Sequence, residues 1–487
     1  MSVEPNILLL LTDQERYDVI SGCRSHVATP NLDRLSSEGM TFERAYTPVG
    51  ICTSARASLL TGLYPHNHGM LNNCHEPDAI KEDLSPELPT FGTLLADRGY
   101  RNTYAGKWHV GRNRTPADFG FEYIGGGDGG HESTNSDFRQ YQRDLGVSPG
   151  EAEIRDPIYT DQRREPTLIA GETTMPKEAT RTYYVAERTI ERLKRGAGAD
   201  RPLFHRTDFV GPHHPYLVPE PYASMYDPAD IERWGNFDET FDGKPRAHEQ
   251  FLEYRGVADM DWETWAEAAS KYFGFVTFID EQIGRILDAV DTYLDGETVV
   301  VHTSDHGDLT GSHRQFNKGP MMYEEVYHIP LLVRWPGTVE PGSTCTEFVR
   351  LLDLMPTFLE MGGVEPTMET DGRSLLPLLR GNTPTEWPES VYAEYHGEEF
   401  GLYSQRMVRT DRYKYVHNAP DTNELYDLDR DPDELHNRID HPEYQSVRDR
   451  LEATLLEWMT ETDDPITRWT RKALTNGEPA RPAPKSQ

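Results

Sequence analysis

Residues 6–13 read "NILLLLTD", and the fold turns on where that run is placed. It is too short to cross a membrane, and too continuously apolar for a strand with one wet face, which would alternate apolar and polar positions. An aliphatic run closed by polar residues suits a strand buried on both faces of a parallel sheet, with Asp13 at its carboxyl end. "TVVVHTSDHGD" at 298–308 repeats the design and ends in Asp305. Outward from these two strands, helical spacing runs through "TPNLDRLSSEGM", "TSARASLLTGL", "LPTFGTLLADRGY", residues 179–195 and "KYFGFVTFIDEQIGRILDAVDTYL" (271–294). "RNTYAGKWHVG" and "LFHRTDFV" (203–210) read as further strands. Strands alternating with helices predict an α/β fold: a large mixed, mostly parallel sheet flanked by helices.

Past about residue 385 the pattern changes. "SVYAEYHG", "QRMVRTDRYKYVHN" and "NELYDLDRD" alternate like short antiparallel strands, and 443–461 has the spacing of a packing helix. The expected division is an α/β domain over 1–385 and a smaller C-terminal α+β subdomain over 386–475. A disordered tail is expected over 476–487. The polar, Gly- and Pro-rich stretch 112–175 predicts a long surface excursion.

Composition narrows the function. The 82 acidic residues against 49 basic ones give a formal charge of -33, which argues against a nucleic-acid partner, since phosphate binding needs a basic face. Only 10 of the basic residues are lysine, so the chain looks halophile-like: salt would screen its self-repulsion. No 18-residue apolar stretch occurs, so no membrane span is expected. The N-terminal residues lack the basic region and cleavage site of a signal peptide. The four cysteines, Cys23, Cys52, Cys74 and Cys345, have no zinc or redox spacing and are too few for a disulfide framework. A reducing cytoplasm is the expected location.

Ligands of open α/β sheets bind beyond the carboxyl ends of the strands. Asp13 and Asp305 are expected there, with Lys107, His109 and His213 on loops after other strands. A strand-end aspartate is ordinarily a cap or turn residue; the convergence of these five from separate segments points to an active site. Asp13, Gln14, Asp305 and His306 offer oxygen and imidazole donors for a hard divalent cation, Ca²⁺ or Mg²⁺, with Mn²⁺ left open by His306. In "GKWHVG" Lys107 and His109 stand two apart, on one face if the segment is extended. Lys318 in "FNKGP" and His213 or His214 in "PHHP" are further candidates. Two familiar patterns are set aside. "GVSPG" (146–150) lies in a polar loop without the strand-turn-helix of a nucleophile elbow. "GGGDGG" (125–130) opens no apolar helix.

"CTSARASLLTG" resembles the signature of the type I sulfatases of the alkaline phosphatase superfamily: Cys or Ser, any residue, Pro or Ala, any residue, Arg. "NILLLLTDQERYD", "TPNLDRLSSEGMTFERAYTP", "LLTGLYPHNHG", "YAGKWHVG", "PHHP", "SDHGDLTG" and "ELYDLDRDPDELHN" resemble sulfatase segments in sulfatase order along essentially the whole chain. The resemblance implies an alkaline phosphatase-like fold and oxidation of Cys52 to formylglycine by a maturation enzyme. It implies a metal, Ca²⁺ first, held by Asp13, Gln14, Asp305 and His306. One hydroxyl of the hydrated aldehyde would attack the sulfur of a sulfate ester and expel the alcohol. Loss of the second hydroxyl's proton would then release sulfate. Arg56 would orient the formylglycine, Lys107 and Lys318 would bind sulfate oxygens, His109 would be the base, and His213 the acid on the leaving oxygen, with His214 as alternate.

Two positions depart from the pattern. Ser54 stands where the signature has Pro or Ala, so maturation of Cys52 depends on whether serine is accepted there. Gln14 replaces the second aspartate of many sulfatases. The Asp-Gln and Asp-His pairs resemble the branch containing choline sulfatases and phosphonate monoester hydrolases. The expected substrate is a small-molecule or carbohydrate sulfate ester. The alternatives are a phosphonate monoester or phosphodiester, or an unmatured, catalytically silent chain. Tyr216, Tyr222 and Trp234 either stack on a sugar or pack, and the oligomeric state is open.

The acidic composition carries a test. Thermal melting followed across KCl concentrations is expected to move upward as salt screens the charge; a melting point independent of KCl would contradict the halophile-like expectation.

Overall fold

The computed structural model describes residues 4–20, 27–126, 136–148, 150, 152–161, 165–196, 201–294, 297–399 and 401–475. Most of the glycine run 125–130 and the tail 476–487 lie outside the described residues, as does Cys23.

Eight strands form the main sheet, in the order Ser343–Cys345, Met40–Phe42, Leu331–Arg334, Thr298–Ser304, Asn6–Asp13, Leu203–Pro212, Arg101–Gly106 and Glu122–Gly126. Leu331–Arg334 pairs antiparallel with both neighbours, and every other pairing is parallel. The aliphatic run is central, as its composition requires. Ile7, Leu9 and Leu11 enter the core on one face, with Ala55 and Leu59 of the Cys52–Thr61 helix. Leu8 and Leu10 enter the core on the other, against the helices Arg181–Gly196 and Trp262–Tyr293. With both faces covered, no position on this strand can be polar until it reaches the sheet edge.

Register then aligns that edge. Thr12 lies opposite Ser304, Asp13 opposite Pro212, and Gly106 opposite Asp208. Asp13, Asp305, His213 and Lys107 therefore leave the sheet side by side. The Cys52 helix starts at the same edge and stops at Gly62, whose φ of 71° is a left-handed cap that favours glycine.

The C-terminal strands form an antiparallel meander, Ser390–Glu398, Gly401–Thr410, Tyr413–Ala419 and Glu424–Asp427, covered by the helix Gln445–Glu461. The expected surface excursion over 112–175 is instead partly regular. Glu122–Gly126 closes the main sheet, Ser136–Asp144 is helical, and Ile154–Tyr159 pairs with Leu168–Thr173, which pairs in turn with Tyr216–Val218. These strands are short, and the pairing of Leu168–Thr173 with Tyr216–Val218 joins segments distant in sequence, which local patterning does not reveal.

His66 ties the meander to the segment that follows the Cys52 helix. Its Nδ1 lies 2.8 Å from Glu394 Oε2 and its Nε2 3.0 Å from the Thr462 carbonyl oxygen. Burial disfavours its charge, but the Glu394 carboxylate outweighs burial and raises the imidazole to about 9. A raised folded-state value means stability that is present below pH 6.5 and lost as pH rises through about 9, on the order of 3 kcal/mol at most. The wild-type urea midpoint should fall between pH 6.5 and 9.5 more than that of His66→Gln; parallel midpoints would contradict the assignment.

Candidate active site

At the shared strand edge two carboxylates, a thiol and an imidazole meet away from solvent. Ligand atoms of Asp13, Cys52, Asp305 and His306 all lie within 4.8 Å of one another, and all four residues are buried. Cys52 Sγ is 3.2 Å from His306 Nε2 and 3.7 Å from Asp13 Oδ1. His306 Nδ1 contacts the Gly307 carbonyl oxygen at 2.8 Å, so Nδ1 carries the proton and Nε2 turns its lone pair into the cluster. Two carboxylates and an imidazole lone pair, converging within one ion's coordination span, fit a divalent cation.

Arg56, one turn along the helix from Cys52, binds three buried carboxylates at once. Its Nε donates to Asp305 Oδ2 (2.8 Å), Nη1 to Asp208 Oδ2 (2.7 Å) and Nη2 to Asp13 Oδ2 (2.9 Å). Nη1 also donates to the Lys107 carbonyl oxygen at 2.9 Å. Burial opposes the guanidinium charge, but Asp305, Asp13 and Asp208 raise it well above the usual arginine range. Asp13 shows the converse. Burial alone would raise it, yet Lys107, Arg56, His213 and His306 hold it well below the usual carboxylate range.

Lys107 Nζ is 2.6 Å from Asp13 Oδ2. Its pairing with His109 is not the one expected of an extended segment. The strand ends at Gly106, with φ 109°, and His109 itself has φ 57°, so the two side chains diverge. His109 Nε2 contacts His75 Nδ1 at 2.7 Å, and its carbonyl accepts from Thr53 Oγ1 at 2.9 Å. His213 Nδ1 lies 2.5 Å from the His214 carbonyl oxygen, and the two rings stack. Lys318 Nζ reaches Gln14 Oε1 at 3.3 Å and lies 3.7 Å from Glu398 Oε1. Burial opposes the Lys318 charge, while Cys52, Glu398 and Asp13 raise its value.

Gln14 is fixed by residues that sequence reasoning left out. Its Nε2 donates to Asp308 Oδ2 at 2.5 Å, which turns Oε1 toward Lys318. Asp308 also accepts from Tyr216 OH (2.7 Å) and from the Thr310 backbone N–H (2.8 Å). Tyr216, Tyr222 and Trp234 are buried and pack: Trp234 Nε1 donates to the Thr310 carbonyl. Asp208 was also missed. Its signal was two charged residues, Arg206 and Asp208, inside a strand buried along nearly its whole length. The two pair with each other at 2.7 Å.

With this geometry in hand, the comparisons decide the family. A sulfatase family model matches residues 5–364, and a model described as N-sulphoglucosamine sulphohydrolase, C-terminal, matches 311–461. The chain belongs to the sulfatase family. It thus falls in the alkaline phosphatase superfamily, among the sulfuric ester hydrolases. An arylsulfatase of Clostridium perfringens is 29% identical over 93% of this chain and 94% of its own length. An N-acetylglucosamine-6-O-sulfatase of Bacteroides thetaiotaomicron is 26% identical over 94% and 87%. Among solved structures, the phosphonate monoester hydrolase of Agrobacterium radiobacter superposes with a TM-score of 0.78 at 26% identity, covering 94% of this chain and 96% of that one.

Arg56→Ala would remove the guanidinium that bridges three buried carboxylates, of which Asp13 keeps Lys107 and Asp208 keeps Arg206, a loss on the order of 3–5 kcal/mol. The expected readout is a large fall in urea midpoint, with Arg56→Lys intermediate because a single ammonium cannot replace the fork. A midpoint matching the parent would show that Arg56 does not hold the trio.

Proposed function

We propose that this sulfatase hydrolyses the sulfate ester of an alcohol, sugar or aryl group, using a formylglycine made from Cys52 and a divalent cation held by Asp13, Gln14, Asp305 and His306. The observation that carries the reading is the contact of Cys52 with His306 and Asp13 inside the donor cluster. Burial and the Asp13 charge push the thiol up to about 12, so as a cysteine it stays protonated. That state suits a precursor better than a nucleophile. Cys52 is only 1% exposed and opens a helix buried along its whole length, so a maturation enzyme would have to act before the chain folds.

The cation, when bound, would polarise the hydroxyl that attacks sulfur and offset the charge of the sulfate oxygens. Ca²⁺ is the first choice for a mainly oxygen donor set, with Mg²⁺ or Mn²⁺ as alternatives. Lys107 and Lys318 are buried point charges within electrostatic reach of Cys52, and would hold the anion and the charge that builds on it. His109, steadied by His75, would take the proton that lets sulfate leave the formylglycine. His213 would protonate the leaving oxygen, and its Nδ1 contact to the His214 carbonyl leaves Nε2 for that role. In this reading Arg56 works through Asp13 and Asp305, as the residue that fixes the ligand carboxylates.

The phosphonate monoester hydrolase likeness favours a second reading in which the same site cleaves phosphonate monoesters or phosphodiesters. Mass spectrometry of the Cys52 peptide should show a loss of about 18 Da on conversion to the aldehyde. A fully unconverted peptide would make the chain catalytically silent. Metal analysis of Asp305→Asn should show the bound ion lost. On the converted enzyme, kcat/KM for p-nitrophenyl sulfate is expected to exceed that for phenyl phosphonate esters and bis-p-nitrophenyl phosphate; a large preference for the phosphorus esters would replace the sulfatase reading.

A further inference from the structure

Five arginines are buried among the described residues: Arg16, Arg56, Arg192, Arg206 and Arg406. Four of them have a carboxylate. Arg16 pairs with Asp18 at 2.7 Å, Arg206 with Asp208 at 2.7 Å, Arg406 with Asp464 at 2.5 Å, and Arg56 with its three aspartates. The buried lysines are matched in the same way: Lys107 by Asp13, Lys244 by Glu239, Lys318 by Glu398 and Lys414 by Glu324. Arg192 is the exception. It is 4% exposed, it forms no ion pair among the described residues, and its Nε and Nη1 are buried without a hydrogen bond. A charge taken out of water without a counter-charge is strongly unfavourable.

The position is at the amino edge of the sheet, the side away from Cys52. Arg192 lies near the end of the Arg181–Gly196 helix, which packs on the strands beginning at Arg101, Glu122 and Leu203. The charges acting on it are those of Arg101, Glu122 and Arg195, two cations against one anion, and Glu122 is already 2.9 Å from Arg101. His205 brings no charge. Burial and the Arg192 guanidinium hold its imidazole down to about 3, and its ring nitrogens meet Thr103 Oγ1 at 2.7 Å and Thr189 Oγ1 at 3.1 Å. Burial and then Arg101 pull Arg192 below the usual arginine range, whereas carboxylates raise Arg16, Arg56 and Arg206 above it. The helix ends beside Nη1 in Gly196. A Cβ built there would stand 3.7 Å from that nitrogen and 3.8 Å from Leu294 Cδ2, with no other heavy atom of the described residues within 4 Å.

We infer that Arg192 is the centre of an anion site remote from the reacting centre, and that its ligand is a small monovalent anion, chloride in solution. One unpaired guanidinium needs one negative charge, and a halide accepts hydrogen bonds from any direction. A dianion such as sulfate would overcompensate the charge and lose more hydration on entering. Chloride that binds the folded chain and not the unfolded one stabilises the fold as its concentration passes the dissociation constant. That effect is separable from screening of the net charge of -33, which every salt provides alike at equal ionic strength.

The test is thermal melting of the full chain in potassium chloride and in potassium gluconate at equal ionic strength, for wild type, Arg192→Met and Gly196→Asp. The quantity read is the melting point in chloride minus that in gluconate. It should be greater in wild type than in Arg192→Met by about 2–4 °C. Gly196→Asp sets a carboxylate beside Nη1 and supplies the missing charge from within the chain. It should lose the same increment and melt above wild type in gluconate. Arg192→Met, freed of a buried unpaired charge, should melt no lower than wild type in gluconate. Crystals grown in bromide should show an anomalous peak at the Arg192 guanidinium. A difference shared by all three proteins, or no bromide peak at Arg192, would overturn the site. An increment that needs Arg192 but appears in potassium sulfate and not in chloride would overturn the choice of a monovalent ion.

Discussion

Everything at the active edge depends on one guanidinium surrounded by carboxylates in the absence of water. Asp13, Asp208 and Asp305 come from three different strands, and like charges at that spacing would repel strongly in a low-dielectric interior. Arg56 makes the arrangement stable because its planar fork offers separate nitrogens to separate carboxylates. It also fixes which oxygen of each carboxylate is used. Asp13 and Asp305 give Oδ2 to Arg56, leaving their Oδ1 atoms to face Cys52 and the Gln14 and His306 backbone. The helix carrying Arg56 also carries Cys52, so the same ion pairs that align the carboxylates align Cys52 against them.

Much of this was legible in the sequence because the elements involved are strongly patterned. The Leu and Val runs could only be buried parallel strands, and a polar residue at the end of such a run must emerge at the ligand-binding edge. Asp13, Asp305, Lys107 and His213 all follow from that logic. The Cys52 helix and its glycine stop were equally plain. What stayed hidden depends on pairing between distant segments. Asp208 looked like part of a strand because nothing local says that Arg56 reaches it. Glu398 comes from the C-terminal meander, more than three hundred residues from the Asn73 it accepts from. The left-handed turn at His109 is likewise a product of packing, and it overrode the two-residue alternation.

Gln14 shows how a change of residue type can move charge without removing it. Where many sulfatases carry a second aspartate, this chain has a neutral amide, and a carboxylate, Asp308, stands one hydrogen bond further out. Burial raises Asp308, and bonds from Tyr216, Gln14 and Thr310 pull it back. The amide is thereby locked with its oxygen inward, so the position still presents an acceptor to the site but with a weaker field.

That weaker field bears on why sulfate and phosphonate chemistry share one architecture. A sulfate monoester, a phosphonate monoester and a phosphodiester each bring a single negative charge on a tetrahedral centre. To the proposed site, Lys107, Lys318 and a cation held by two carboxylates, an amide and an imidazole, the three would be close to equivalent. Discrimination by charge is therefore weak at the reacting centre, and whatever selectivity the enzyme has must come from the group that leaves.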